Sequence, residues 1–369
     1  MAFKINKVKA DLRSYPPYII MGQPKVGKST LFRDLVLLNY DNPAKGLLIS
    51  MGQEEGFLAL DDLNYEEAKV WDEYEDENGN RGLVQIIDEV IETQGTEDQI
   101  EMVAFDTFDE LVEVAILQVY EEHREQHGKY PKSLNEALGG YQRGQKRVVD
   151  LIKGQIERLR RAKIAVFILA HTKVKVQSDI LSGQEYELIT NNLASTFYTP
   201  VSSIAQMIVN IVYDRTIEER SEEDNDVGKV VSVQRMMVFC DNPFVDAGGR
   251  FNGLPEKLPL SAENFMEAFK MGVKNSSRTE KMTDKKIEDL RKKEQEINNL
   301  AAENTAKEQE LSQKMKIVQD INALLRTNPD KVALISDLIK KAKLKSFEEA
   351  DVAQVDISVL EEIKIKLTT

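Results

Sequence analysis

The eight residues Gly22-Gln23-Pro24-Lys25-Val26-Gly27-Lys28-Ser29, followed by Thr30, constrain this chain more than any other segment. They fit the pattern G-x-x-x-x-G-K-[ST] and stand between a short apolar run, 18–21 (YIIM), and an apolar-periodic stretch over 29–38. That context predicts strand, loop, helix. Glycines let backbone N–H groups wrap phosphate oxygens at a helix N-terminus, Lys28 offers a point charge to the β and γ phosphates, and Ser29 can ligate a divalent cation. The expected occupants are ATP and Mg²⁺, held between Gly22 and Thr30.

The rest of the pattern fits a sheet around that loop. Residues 46–50 (GLLIS), 102–105 (MVAF, ending on Asp106) and 164–170 (IAVFILA) are continuous apolar runs of the kind buried on both faces. Helical spacing covers 109–127 and 147–161, so strands and helices alternate and predict an α/β fold with a mainly parallel sheet. Stretches 207–213 and 230–239 read as strands joined through an acidic turn at 217–228, an antiparallel extension of the sheet edge. Between the second and third strands the expectation is an acidic exposed region with a turn at Asn78-Gly79-Asn80.

Charge narrows the partners. The chain carries 49 basic and 63 acidic residues, and 281–369 holds 17 of each, so the net −14 belongs wholly to 1–280. Within that part, 61–77 has nine acids and one lysine, while 139–175 has ten Lys or Arg against Asp150 and Glu157. Such a balance excludes indiscriminate coating of nucleic acid but allows one basic track. A single cysteine, Cys240, excludes an intrachain disulfide framework and a Cys-rich metal site. No apolar run is long enough for a signal peptide or a membrane span, so a cytoplasmic protein without membrane contact is expected.

After 275–277 (NSS) the composition turns to Lys, Glu, Gln and Asn with few aromatics. The expected division is a core at 1–275, a helical linker or weak coiled coil at 276–318, and a small all-α domain at 319–369. Leu290, Ile297, Asn304, Leu311 and Val318 repeat every seven residues, but the companion seam contains Glu294 and Glu308, so a long solvated helix is the plainer reading.

Asp106, closing an apolar strand, is placed to act with Ser29 on the metal. Thr107 follows it, where motors of the AAA+ class normally have a glutamate that activates water. The base must then come from elsewhere, and the 46–50 strand runs into Met51-Gly52-Gln53-Glu54-Glu55-Gly56, where a glutamate resembles the arrangement of RecA-like ATPases; Glu55 is preferred, with Glu54 as the alternative. His171, at the tip of the fourth strand, is a candidate γ-phosphate sensor. His123 and His127, at i and i+4, have a spacing that can bind metal, but no third ligand is evident and the charged context reads as a solvated helix end.

The order Gly22 to Ser29, Glu55-Gly56, Asp106-Thr107, Gly139-Gly140-Tyr141, His171, and then Arg250 before Leu254-Pro255 resembles the phage-encoded RecA-like P-loop ATPases. These are AAA-domain nucleotide-binding proteins related to single-strand annealing recombinases. The resemblance covers residues 10–272; the acidic insert 61–101 departs from it. It implies a RecA-like P-loop core whose subunits stack head to tail with ATP between neighbours, and it assigns Arg250 as the cation donated across that interface. It also implies single-stranded DNA contact through two loops after the third and fourth sheet strands. The first supplies Tyr141, Arg143, Lys146 and Arg147; the second supplies Lys173 and Lys175 with Tyr186, Phe197 and Tyr198. Arg158, Arg160, Arg161 and Lys163 crowd a helix C-terminus and answer its dipole.

The expected protein is an oligomeric, DNA-stimulated ATPase that binds single-stranded DNA and promotes annealing or strand exchange in phage recombination or replication. Competing readings are a hexameric helicase or translocase, and a nucleotide-gated scaffold whose C-terminal helices recruit a replication or single-strand-binding partner.

Overall fold

The computed structural model describes residues 17–52, 60, 62–72, 81–178, 183–218, 229–242 and 244–276, and beyond them 292, 311, 314–325, 335, 339, 352 and 355–368. By its internal packing the chain divides into two units. The first comprises 1–93 and 98–291, the second 94–97 and 292–369.

The first unit is built on β1 (Tyr18–Gly22), α1 (Lys28–Tyr40), β2 (Gly46–Met51), β3 (Asn64–Ala68), α2 (Leu83–Glu92), β4 (Met102–Asp106), α3 (Phe108–His127) and α4 (Arg143–Arg161). It continues with β5 (Ala165–Ser178), β6 (Glu185–Asn191), α5 (Ser195–Ser202), β7 (Met207–Glu218), β8 (Lys229–Val238), β9 (Gly248–Gly249), β10 (Lys257–Pro259) and α6 (Ala262–Ser276). The strands join in the order β10-β8-β7-β1-β5-β4-β2-β3, with β6 paired to β5 and β9 to β7. From β7 to β3 every neighbouring pair is parallel, whereas β8 is antiparallel to β7.

β1, β2 and β4 are buried throughout, which is why they read as unbroken apolar runs rather than alternating ones. Ile19, Met21, Ile49, Val103, Phe105 and Ile168 face α2, α3, α4 and α5 in one core. Tyr18, Ile20, Leu48, Phe167 and Leu169 face α1 and α6 in the other. In that second core Tyr18 stacks on Phe167 at 5.1 Å, and Phe265 of α6 meets Tyr18 edge-on at 6.2 Å. Fully burying a ring of this kind contributes about 2–3 kcal/mol, so the strand entering the phosphate loop is firmly seated.

Three expectations change. The region between β2 and β4 is not simply exposed: it contains β3, α2 and the buried Trp71. Its acid count masks an amphipathic helix in which Leu83, Ile86, Ile87 and Val90 recur on the inner side. The expected loop at 172–200 is a hairpin, because β5 runs on to Ser178 and pairs with β6 before α5 begins. Alternation of Lys173, Val174, Lys175 and Val176 is the period-2 signal for it. Finally, α4 starts at Arg143 rather than Arg147. The turn at 78–80 and most of the 217–228 connection lie outside the described residues.

In the second unit, residues 314–325 and Ile357–Thr368 are helical. Val318, Val352, Val355 and Leu360 form one apolar cluster, and Ile321, Ile335, Ile363 and Leu367 a second, while Lys364 pairs with Asp320 at 2.7 Å. Its boundary falls inside the expected 276–318 linker, most of which lies outside the described residues. Among the described residues no helix is long and apolar enough to cross a membrane.

Candidate functional site

The strand register assembles the site at the C-terminal edge of the parallel strands, the usual place for ligands in such sheets. Gly22 pairs with His171 on one side and Ile211 on the other, and Asp106 pairs with Ser50 and Leu169. β5 thus separates the phosphate-loop strand from the strand carrying Asp106, and His171 lies between the two.

Local chemistry shapes the loop. Gly27 has φ +105° at the N-cap of α1, a left-handed conformation that favours glycine. A Cβ at Gly22 would stand 2.7 Å from the Val26 side chain and 3.1 Å from the Ile211 carbonyl, so only glycine lets the loop close there. Gln23, Pro24, Lys25 and Thr30 are exposed at the rim, while Val26 is wholly buried beneath it. Lys28 is buried, and its Nζ donates to the Gly22 and Gln23 carbonyls at 3.2 Å each, folded over the cradle it would serve.

Ser29 Oγ donates to Asp106 Oδ2 at 2.6 Å across 77 residues of sequence. Both side chains therefore meet where a cation bound to the β and γ phosphates would sit. Nearby, Thr107 Oγ1 and Asp109 Oδ1 are buried and have no hydrogen-bond partner among the described residues. Polar atoms left open beside a hydroxyl–carboxylate pair fit a hydrated Mg²⁺ and a phosphate chain. His171 donates its backbone N–H to Asp109 Oδ2 at 3.1 Å, and its ring Nδ1 lies 3.7 Å from the same oxygen.

Sequence reasoning missed three residues here. Asp109 holds His171. Glu110 packs its carboxylate over Gly52, where a Cβ would stand 2.1 Å from Oε2, at the end of β2. Both acids occupy the first turn of α3, a position that the helix dipole favours and that could have flagged them. The third is Arg235 of β8, whose Nη1 donates to the Val26 carbonyl at 3.2 Å. Glu54, Glu55 and Gly56 lie outside the described residues.

A family model described as an AAA domain matches residues 15–251, more than half of the chain. The chain belongs to this family of AAA-type P-loop ATPases. No curated protein matches it. As an AAA-domain ATPase it is a nucleotide-binding protein, and β1, the phosphate loop, Asp106 and His171 all fall inside the matched residues, whereas β10, α6 and residues 292–369 do not.

The remaining predicted residues lie apart from the phosphate loop. Arg250 is exposed and donates to the Ser203 carbonyl at 2.5 Å. It follows β9, which pairs with Met207, itself level with Tyr18. That is the end of the sheet away from the phosphate loop, so Arg250 cannot reach its own chain's nucleotide. Tyr141 is 94% exposed, and Arg143 and Lys146 are exposed in the first turn of α4. Arg147 is engaged with Glu122 through contacts of 2.7 to 3.1 Å. Lys173 is exposed, and Lys175 donates to the Leu193 carbonyl at 3.0 Å; burial and then the charge of Lys173 push its pKa down.

Several side chains depart from their expected roles. Tyr198 is buried with its hydroxyl toward Asp246 and Met21, so it is a core residue rather than a stacking platform. Phe197 is half-buried against the same core. Arg160 and Arg161 bond Glu157, whose pKa falls to about 2 through those two guanidiniums, and Arg158 bonds Asp88. They are tied by ion pairs as well as by the helix end. His123 is not solvated: it is buried, accepts the Leu138 N–H on Nδ1 at 2.9 Å, and stacks on His127 at 4.2 Å. It anchors the segment leading to Tyr141. Among the described residues no three His, Cys, Asp or Glu side chains are grouped to hold a metal.

Proposed function

We propose that this AAA-domain protein is a RecA-like ATPase that binds single-stranded DNA as an oligomer and promotes annealing or strand exchange in phage recombination or replication. The observation that carries this reading is the course of β5. One continuous strand bears His171, in register with Gly22, and two and four residues later bears Lys173 and Lys175 on the hairpin beyond the sheet. A change at the phosphate end of a rigid strand therefore has a direct mechanical path into a cationic element.

Two further features support it. Arg143 and Lys146 stand in the first turn of α4, where the helix dipole repels cations and no acid is present, while Arg147 beyond them is held by Glu122. A phosphate backbone would neutralise that arrangement, and the 94% exposed Tyr141 beside it supplies a face for base stacking. In the hydrolysis step Lys28 holds the β and γ phosphates, and Ser29 with Asp106 holds the cation. His171, braced by Asp109, senses the terminal phosphate, and Glu55 or Glu54 orients the attacking water. Mg²⁺ supplies neutralisation of the phosphate charge when bound. Arg250, remote from its own loop, serves the nucleotide of a neighbouring copy, and the C-terminal helices dock a replication or single-strand-binding partner.

The test is anisotropy of a labelled oligothymidylate. Lys173→Ala/Lys175→Ala and Arg143→Ala/Lys146→Ala should each weaken binding about tenfold or more and flatten its dependence on salt. Wild-type affinity in both double variants refutes the DNA route.

A further inference from the structure

A triphosphate held by Lys28, Ser29 and Asp106 has a fixed polarity. Its γ end points toward β4 and β5, where Asp106 and His171 stand, so its α-phosphate and nucleoside leave the loop on the other side. In the strand order that side is β7 and β8.

The residues there are arranged for a nucleoside. The Arg235 guanidinium donates to the Val26 carbonyl at 3.2 Å, and its Nη1 lies 2.9 Å from where a Cβ on Gly27 would be. Leu260 approaches the same point to 3.4 Å. Tyr213 is directly opposite Arg235 in the β7–β8 pairing, so the two share a face of the sheet. That is the face of α1, because Tyr213 and Leu260 both pack on the core that α1 covers. Arg215, two residues on, holds its guanidinium 5.5 Å from the centre of the Tyr213 ring. The bond to Val26 uses one of the five N–H donors of Arg235, which leaves a planar cation at the loop rim for a phosphate oxygen or a base face. The half-buried Tyr213 and Leu260 add apolar surface of the kind that lines base pockets.

We propose that Arg235, with Tyr213 and Leu260, forms the subsite for the base of the nucleotide bound by the same chain. This rests on the phosphate-loop reading above. Arg235 is a binding residue that tethers the nucleoside end; the β and γ phosphates belong to Lys28.

Calorimetric titration of the full chain with ATP, ADP and inorganic tripolyphosphate, each with Mg²⁺, separates the two ends of the ligand. Arg235→Gln should weaken ATP and ADP by the same factor, about 10-fold for a lost guanidinium–base contact, and leave tripolyphosphate unchanged. Arg235→Lys, which keeps the charge without the planar fork, should fall between wild type and Arg235→Gln and guards against a folding artefact. Lys28→Ala should weaken ATP and tripolyphosphate together. Wild-type ATP affinity in Arg235→Gln refutes the subsite, as does an equal loss for tripolyphosphate, which would put Arg235 on the phosphates instead of the base. Unchanged ATP binding in Lys28→Ala overturns the phosphate-loop reading itself, and the subsite with it.

Discussion

Replacing Ser29 by Ala tests whether the sheet delivers a working phosphate site. The hydroxyl lies 2.6 Å from Asp106 Oδ2, and Asp106 is 3% exposed, so the bond is short, charge-assisted and shielded from water. A hydrogen bond to a charged group of this kind contributes about 1.5–3 kcal/mol. Without nucleotide, Ser29→Ala should therefore lower the thermal midpoint of the first unit by about 5 °C. In the proposed hydrolysis the same substitution would also remove a ligand of the cation that neutralises the phosphates. If about 3 kcal/mol of transition-state stabilisation is lost, kcat falls about 100-fold. Ser29→Thr keeps the hydroxyl, and the loop pattern accepts either residue, so it should retain activity within about tenfold. Steady-state phosphate release with all three proteins decides the matter. If Ser29→Ala turns over like wild type, or if Ser29→Thr is as inactive as Ser29→Ala, the pairing with Asp106 does not serve a metal-nucleotide site.

Further outcomes follow from the geometry. Gly22→Ala should lower ATP affinity by tenfold or more in a direct titration, because its methyl would stand 2.7 Å from the Val26 side chain and 3.1 Å from a backbone carbonyl that cannot yield. By contrast Gly154→Ala, in the exposed middle of α4 with nothing within 4 Å of the added methyl, should raise stability by about 0.5–1 kcal/mol in urea unfolding. His123 has its pKa lowered, first by burial and then by His127 and Lys129. The unfolded chain therefore binds a proton at higher pH than the folded one, so stability should decline as pH falls through about 6.5 and level off below the folded value. Urea midpoints should show that decline in wild type and a smaller one in His123→Gln, which does not titrate.

How far the sequence carries depends on whether a feature is local. The phosphate loop is legible because its work is done by consecutive backbone groups, and the GLLIS, MVAF and IAVFILA runs are legible because both faces of their strands are covered. Asp106 is legible as the polar end of such a run. Other features needed the fold. Arg235 meets Val26 across 209 residues of sequence, through a strand pairing that no local pattern announces. The acids of 61–77 mask the amphipathic helix that follows them, α2, whose apolar residues recur at 83, 86, 87 and 90. Tyr198 looked like a stacking residue beside a basic stretch, yet α5 turns it into the core. His123 looked solvated because its sequence neighbours are charged; burial came from the returning segment at Leu138.

The most direct test of the account is ATP hydrolysis with and without single-stranded DNA, with Lys28→Ala as the blank and Lys173→Ala/Lys175→Ala as the uncoupled variant. The account predicts that DNA stimulates wild-type hydrolysis, that Lys28→Ala abolishes it, and that the hairpin variant keeps its basal rate but loses the stimulation. Hydrolysis indifferent to DNA in the wild-type protein would contradict it.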